Sequence, residues 1–111
     1  MTSGADEEPE RELARMRRLD RRRTELVALL AHDMRDRLTV VAALTEILLL
    51  RWNDLSDDEK RESLTGIRRN GRTLTRLLDE SQRALTDPDA LRHRAPEEIA
   101  AEVRARAAGD G

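Results

Sequence analysis

Residues 25–48 read ELVALLAHDMRDRLTVVAALTEIL, a run without proline or glycine in which apolar residues recur every three or four positions. The same alternation extends from Leu13 to Leu48, and eight of its eleven positions are apolar. This heptad pattern predicts one helix over about residues 10–52, roughly 60 Å long at 1.5 Å per residue. The eleven positions are Leu13, Met16, Asp20, Arg23, Val27, Leu30, Met34, Arg37, Val41, Leu44 and Leu48.

A second helix is predicted over residues 57–85. Ser56 followed three positions later by Glu59 has the spacing of a capping box, in which each side chain accepts a hydrogen bond from the other residue's backbone N–H. A second heptad series follows, and the helix should end before Pro88, because the residue before a proline avoids helical geometry. The short connection places the two helices antiparallel. The second series is Leu64, Ile67, Gly71, Leu74, Leu78, Ser81 and Leu85.

The two ends of the chain look different from this hairpin. Residues 1–9 are acidic and lack an apolar anchor, so they are predicted to be disordered. Residues 88–111 are predicted to be a connector followed by a short helix from Pro96 to about Ala107. Ile99 and Val103 are its only large apolar residues, so this helix would be marginal by itself.

The composition favours helices that associate over a single large core. The chain has 111 residues, of which 40 % are charged, and Trp52 is its one aromatic residue. A hairpin of two amphipathic helices has an apolar face with nothing to cover it. We therefore predict an all-α fold, a long antiparallel helical hairpin that forms a homodimer as a four-helix bundle.

Several classes of protein are excluded or disfavoured. Without cysteine the chain has no disulfide, thiol nucleophile or zinc–cysteine site, and with two histidines it has no histidine-rich metal centre, so no metal is expected. The arginines of residues 11–23 are not interleaved with aromatics, so a solvated helix face is favoured over a DNA-binding helix. The apolar run 38–50 contains Glu46 and is too short for a membrane span. A cytoplasmic protein without a nucleic-acid partner is expected.

The candidate chemistry lies on the side of the first helix opposite its apolar seam. His32 takes the heptad position farthest from that seam, and Asp36 follows one turn later on the same face. An imidazole in water is mostly neutral at neutral pH and is a usable nucleophile. A neighbouring carboxylate, Asp33 or Asp36, could accept the proton of the second ring nitrogen. Leu29, one turn before the histidine, is predicted to point outward.

Residues 25–39, ELVALLAHDMRDRLT, resemble the phosphoacceptor box of the histidine-kinase dimerisation and phosphoacceptor family. That box typically has apolar residues, then histidine, an acid, leucine or methionine, arginine, threonine or asparagine, proline, leucine and threonine. Residues 67–81 are similar to the family's second helix, and the resemblance covers about residues 11–87.

The resemblance implies a role in two-component signal transduction. His32 would be the phosphoacceptor and Asp33 the acid that assists proton transfer, with the phosphoryl group passing to an aspartate of a response-regulator receiver domain. Ala28, Leu29 and Arg35 would belong to the surface on which that receiver docks.

The chain departs from the family pattern in two residues of the box and in one larger feature. Asp36 replaces the threonine or asparagine associated with dephosphorylation of the partner, which makes it a position that could modulate hydrolysis, and Arg37 replaces the proline that bends the helix. No glycine-rich nucleotide loop is visible, so no cofactor is expected on this chain. ATP and Mg²⁺ would act only through a separate kinase domain, supplied by another chain or lost by truncation. The alternative function is a non-catalytic dimerisation scaffold derived from such a kinase.

Overall fold

The computed structural model describes the backbone of residues 4–109 and the side chains of residues 7–109, and this part of the chain contains helices and no strand. The all-α prediction is confirmed. The molecule is elongated, 81 × 26 × 16 Å. In chain order the elements are α1 (Gly4–Arg51), a 3₁₀ turn (Trp52–Asp54), α2 (Asp57–Leu85), α3 (Pro88–His93) and α4 (Pro96–Ala108).

Helix α1 is longer than the pattern predicted. It begins at Gly4, so the prediction of disorder over residues 1–9 is wrong for residues 4–9, whereas residues 1–3 lie outside the described residues. Acidic side chains near a helix N-terminus interact favourably with the helix dipole, and Glu7 also pairs with Arg11 at 3.1 Å, one turn further on. The dipole interaction and this ion pair both favour a helix in a segment that composition alone predicted to be disordered.

Helix α2 has the predicted bounds and the predicted cap. The backbone N–H of Glu59 donates to Ser56 Oγ at 3.1 Å, and the backbone N–H of Ser56 donates to Glu59 Oε1 at 3.0 Å. The hydrogen bond from the Ser56 backbone is the main cause that lowers the pKa of the Glu59 carboxyl below its usual range. The cap begins α2 directly after the 3₁₀ turn, and this tight connection makes α1 and α2 antiparallel.

The two long helices approach closely near the turn. A Cβ added to Gly66 would lie 2.8 Å from Leu44 Cδ1, so the missing side chain is what gives Leu44 its place against α2. Farther along the hairpin, Arg37 Nη1 donates to Asn70 Oδ1 at 3.1 Å. Arginine in place of a helix-breaking proline leaves α1 continuous at this point and adds a bond across the hairpin.

Helix α3 was not predicted from the sequence. The Asp87 side chain accepts hydrogen bonds from the backbone N–H groups of Asp89 and Ala90, and Pro88 occupies the first turn. An Asp-Pro pair can begin a helix as well as end one. Proline lacks a backbone N–H, but an N–H in the first turn of a helix has no partner within that helix. The same two residues that end α2 therefore begin α3.

Helix α4 lies along the hairpin and supplies much of the chain's buried core. The prediction that α4 is marginal by itself rests on its own apolar residues. It leaves out the groove between α1 and α2 in which those residues are buried. Ala100 and Ala107 are fully buried, and such small side chains let the α4 backbone come close to the hairpin. The core consists of Leu26, Leu30, Leu77, Leu91, Ile99, Ala100, Val103 and Ala107.

Arginines from the hairpin bind the free carbonyl groups at the ends of the two C-terminal helices. Arg22 donates through Nη2 to the Arg94 carbonyl at 2.6 Å and through Nη1 to the Arg92 carbonyl at 3.3 Å. Arg76 Nη1 donates to the Ala107 carbonyl at 3.2 Å. Because the last carbonyls of a helix have no partner within it, these bonds satisfy groups that packing would otherwise desolvate.

The apolar seam predicted on α1, together with the flanking residues Leu26 and Leu38, is divided between two environments. Leu26 and Leu30 are buried within the chain, whereas Val27 is 45 % exposed and Leu38 is 53 % exposed. The inner side of the seam packs on α2 and α4, and the outer side is left open to solvent. Exposed large apolar residues are Leu13, Met16, Val27, Leu38, Val40, Ile47, Leu49, Leu50, Trp52, Leu64 and Leu78.

The burial of α4 predicts that Ile99→Ala destabilises the chain. Ile99 is 3 % exposed, and a large-to-small change at such a site costs about 2–5 kcal/mol, to be measured by urea unfolding. Leu50→Ala, at a side chain that is 75 % exposed, is the matched control and should change stability by less than about 0.5 kcal/mol. Equal unfolding free energies for the two variants would contradict the docking of α4.

A second prediction concerns pH. Glu97 in the first turn of α4 faces Glu25 of α1, and its hydrogen bond and negative charge raise the pKa of the Glu25 carboxyl. Stability from a raised pKa is present at low pH and is lost as pH rises through the folded-state value. Glu97→Gln should therefore raise Tm at pH 7, and the gain should disappear on acidification.

Glu98→Gln is the control for this pH prediction. It removes the same charge from the same helix turn, but Glu98 lies 3.8 Å from the Arg94 guanidinium and not beside another acid. No gain in Tm is expected. If the two variants have the same Tm between pH 4 and pH 8, Glu25 and Glu97 do not repel each other in the folded chain.

Candidate functional site

His32 lies on the outer face of α1, in the part of the helix that is packed most firmly. Leu26 and Leu30 fix this part of α1 against α2 and α4. Two positions beyond Leu30, at about 100° per residue, a side chain points well away from the core. The His32 side chain is 69 % exposed, as its heptad position predicted. A rigid helix thus presents an imidazole to solvent with room for a bulky reactant.

Asp36 is the carboxylate that contacts this imidazole. Its Oδ2 lies 3.5 Å from His32 Nε2, the contact expected for residues four apart on a helix, and the Asp36 side chain is 65 % exposed. In solvent such a pair is weakly bound. The carboxylate can orient the ring or accept a proton without blocking access to it.

Asp33, by contrast, is turned away from the imidazole and toward α4. Its side chain is only 12 % exposed, and its Oδ2 lies 3.5 Å from Arg104 Nε. Oδ2 has no hydrogen-bond partner. The structure therefore brings His32 and Asp36 together, and it pairs Asp33 with a cation from the C-terminal helix.

The three residues predicted to dock a partner differ in exposure. Ala28 and Arg35 are exposed. The prediction that Leu29 points outward is wrong, since it is half-buried and packs against the core to which α4 contributes. A heptad position on α1 gives no information about α4, which lies on that side of α1 and covers Leu29 in part.

A groove of about 520 Å³ opens beside the site, where α4 ends between the two long helices. Both aspartates line it, together with Arg37 and Arg104. A neighbouring groove of about 310 Å³ is lined by five arginines and no acid: Arg37, Arg68, Arg69, Arg72 and Arg76. The two grooves thus combine two carboxylates with a strongly cationic wall, which suits an anionic group electrostatically, although His32 itself lines neither groove.

Arg104 is the site residue that the sequence did not suggest. It follows Val103 on α4, but no motif links it to Asp33, 71 positions earlier. The second histidine, His93, is exposed at the end of α3 and has no such constellation around it. Within the described residues, no group of three or more histidine or acidic side chains could hold a metal ion.

No helix in the described part of the chain is long and apolar enough to cross a membrane. Neither the curated proteins nor the solved structures include a match to the chain. Residues 22–84, more than half of the chain, match the His Kinase A (phospho-acceptor) domain family, and this match includes His32, Asp33, Asp36 and most of α2. The resemblance of the box around His32 is thereby confirmed, and the chain belongs to the family of His Kinase A phosphoacceptor domains of two-component histidine kinases.

Proposed function

We propose that His32 accepts a phosphoryl group and passes it to an aspartate of a response-regulator receiver domain. The observation that carries this proposal is the exposed imidazole of His32, with a carboxylate oxygen 3.5 Å from its Nε2, on the hairpin that matches the family. Its exposure leaves space for the in-line approach that phosphoryl transfer needs. Because His32 lies on a helix that is packed against the core, the position of its imidazole does not depend on a loop.

The transfer needs little from the chain beyond positioning and proton acceptance. The lone pair of one ring nitrogen forms the P–N bond while the bond from phosphorus to the ADP oxygen breaks. The proton on the other ring nitrogen passes to a carboxylate, the role that the family assigns to the position of Asp33. In the second step the P–N bond breaks and a P–O bond forms to the receiver's aspartate.

An apolar strip beyond His32 supports docking of a receiver domain. Val40, Ile47 and Leu50 continue down α1 on the side of His32 and Asp36, and they are 42 %, 41 % and 75 % exposed. With Leu29 partly covered by α4, this strip and Ala28 offer the apolar contacts on that side. A partner seated there would have its reactive aspartate beside the imidazole.

ATP and Mg²⁺ enter this proposal with a separate kinase domain, not with the hairpin. The role of the described residues is to present His32 to that domain and then to the receiver. If His32 proves unreactive with every donor, the chain acts as a dimerisation scaffold derived from such a kinase.

We further propose that two chains pair through the outer side of the apolar seam. On α2, Leu64 and Leu78 are 51 % and 49 % exposed, and they are two heptads apart with Gly71 midway. A Cβ at Gly71 would meet nothing within 4 Å in this chain, which leaves room for a second helix. With Val27 and Leu38 on α1, these residues form the second apolar face that a four-helix bundle requires.

The dimer should be abolished by Leu38→Asp, because pairing would bury an unpaired charge. Light scattering at micromolar concentration should give twice the 12.7 kDa chain mass for the unmodified protein and the single mass for this variant. Leu50→Asp, on the other side of α1, should remain dimeric. A monomeric unmodified protein would disprove the pairing.

The phosphoacceptor role predicts that His32→Gln abolishes phosphorylation. The protein is incubated with labelled ATP and a separate kinase domain, or with a phosphorylated receiver, and acid-labile, base-stable phosphate is measured. His93→Gln is the matched control and should be labelled as strongly as the unmodified chain. Labelling that persists in the His32→Gln protein would overturn the assignment, whereas no labelling of any variant would favour the scaffold.

A further inference from the structure

We propose that Arg104 is a positioning residue that holds the Asp33 carboxylate away from His32 and so restrains phosphoryl acceptance while α4 is docked. The inference rests on the proposed role of His32. It concerns the segment beyond the hairpin, since Arg104 lies outside the residues that match the family. It assigns to α4 a function in addition to its contribution to the core.

The contact between Arg104 and Asp33 is more than a chance surface pair. The Asp33 side chain is 12 % exposed, and its Oδ2 is fully covered, with no hydrogen bond and with Arg104 Nε 3.5 Å away. A carboxylate removed from water needs a compensating charge, and the guanidinium of Arg104 supplies it. Asp33 therefore has a physical reason to stay with α4.

Helix geometry explains why this contact excludes the imidazole. Neighbouring residues on a helix diverge by about 100°, so an Asp33 side chain that lies against α4 cannot at the same time reach toward His32. The structure has it turned toward α4. The imidazole instead contacts Asp36, the residue one turn away, at 3.5 Å.

Arg104 is held in place by the packing of α4. Ala100, Val103 and Ala107 bury the face of α4 that borders Arg104, with at most 4 % exposure, and Arg76 binds the Ala107 carbonyl. The guanidinium is consequently presented to Asp33 by a fixed backbone. Movement of α4, or a partner that takes its place, would return the carboxylate to the imidazole.

The chemical consequence is slower proton removal from the second ring nitrogen. When the first nitrogen attacks phosphorus, the ring becomes cationic unless a carboxylate accepts this proton. A carboxylate that is held against a guanidinium on α4 is misdirected for this transfer. Removing the guanidinium should therefore accelerate phosphorylation of His32 without any change in donor.

Phosphoramidate, a small phosphoryl donor, tests this without a partner protein. The ring nitrogen forms a P–N bond, the donor's own P–N bond breaks, and ammonia leaves. The whole chain of 111 residues is treated with this donor and then digested. Phosphate on His32 and on His93 is measured by mass spectrometry of peptides that are kept at neutral pH. Because His93 is exposed and outside the site, the ratio of the two rates corrects for intrinsic reactivity.

Arg104→Gln should raise the ratio at least several-fold, a fraction of the roughly 10²–10⁴-fold that general-base assistance can supply. Arg106→Gln is the matched control on the same helix, since Arg106 pairs with Glu80 and Glu102 and should leave the ratio unchanged. Arg104→Lys, which keeps the cation, should bring the ratio back toward its starting value.

The Asp33→Asn background separates positioning from a structural effect. With no carboxylate to release, Arg104→Gln should no longer raise the ratio, whereas a general loosening of α4 would act in both backgrounds. An acceleration that persists in the Asp33→Asn background, or no acceleration at all while His32 still reacts faster than His93, would overturn the inference. Equal labelling of the two histidines in all variants would instead refute the proposed function.

Discussion

The packing of α4 against the hairpin is the contact on which the rest of the chain depends. Leu26 and Leu30 on α1 and Leu77 on α2 are covered by Ile99 and Val103, which are nearly inaccessible to water. In a chain with one aromatic residue, aliphatic side chains must fill this space. Burial of each such group is worth about 1.5–3 kcal/mol, so a third helix matters in a domain of this size.

That same packing divides the surface of α1 into three sides. One side is buried under α2 and α4, a second carries His32 and Asp36 in solvent, and a third leaves Val27 and Leu38 exposed. Each side is a stripe at three- and four-residue spacing, so a single long helix supports a buried core, an exposed imidazole and an exposed apolar surface. Asp33 lies at the border, where α4 shields it, and the two carboxylates of one motif therefore have different environments.

Local rules were sufficient for much of this structure. The start of α2 followed from the Ser56–Glu59 capping box and its end from Pro88, and the exposure of His32 followed from the heptad position opposite the seam. Both depend on residues within one or two helical turns, so the pattern contains the needed information. The family resemblance was equally local, since it rested on the residues around His32, on those of the second helix, and on their spacing within each helix.

Tertiary structure decided what no single helix could. The sequence by itself determined an all-α hairpin with an outward histidine and acids one and four positions after it. It did not determine that α4 docks, because burial of Ile99 and Ala100 depends on a groove formed by α1 and α2 together. For the same reason the sequence did not reveal that α4 covers Leu29 or that Asp33 pairs with Arg104. These contacts join residues some 70 positions apart, and side-chain spacing along one helix carries no information about its neighbour.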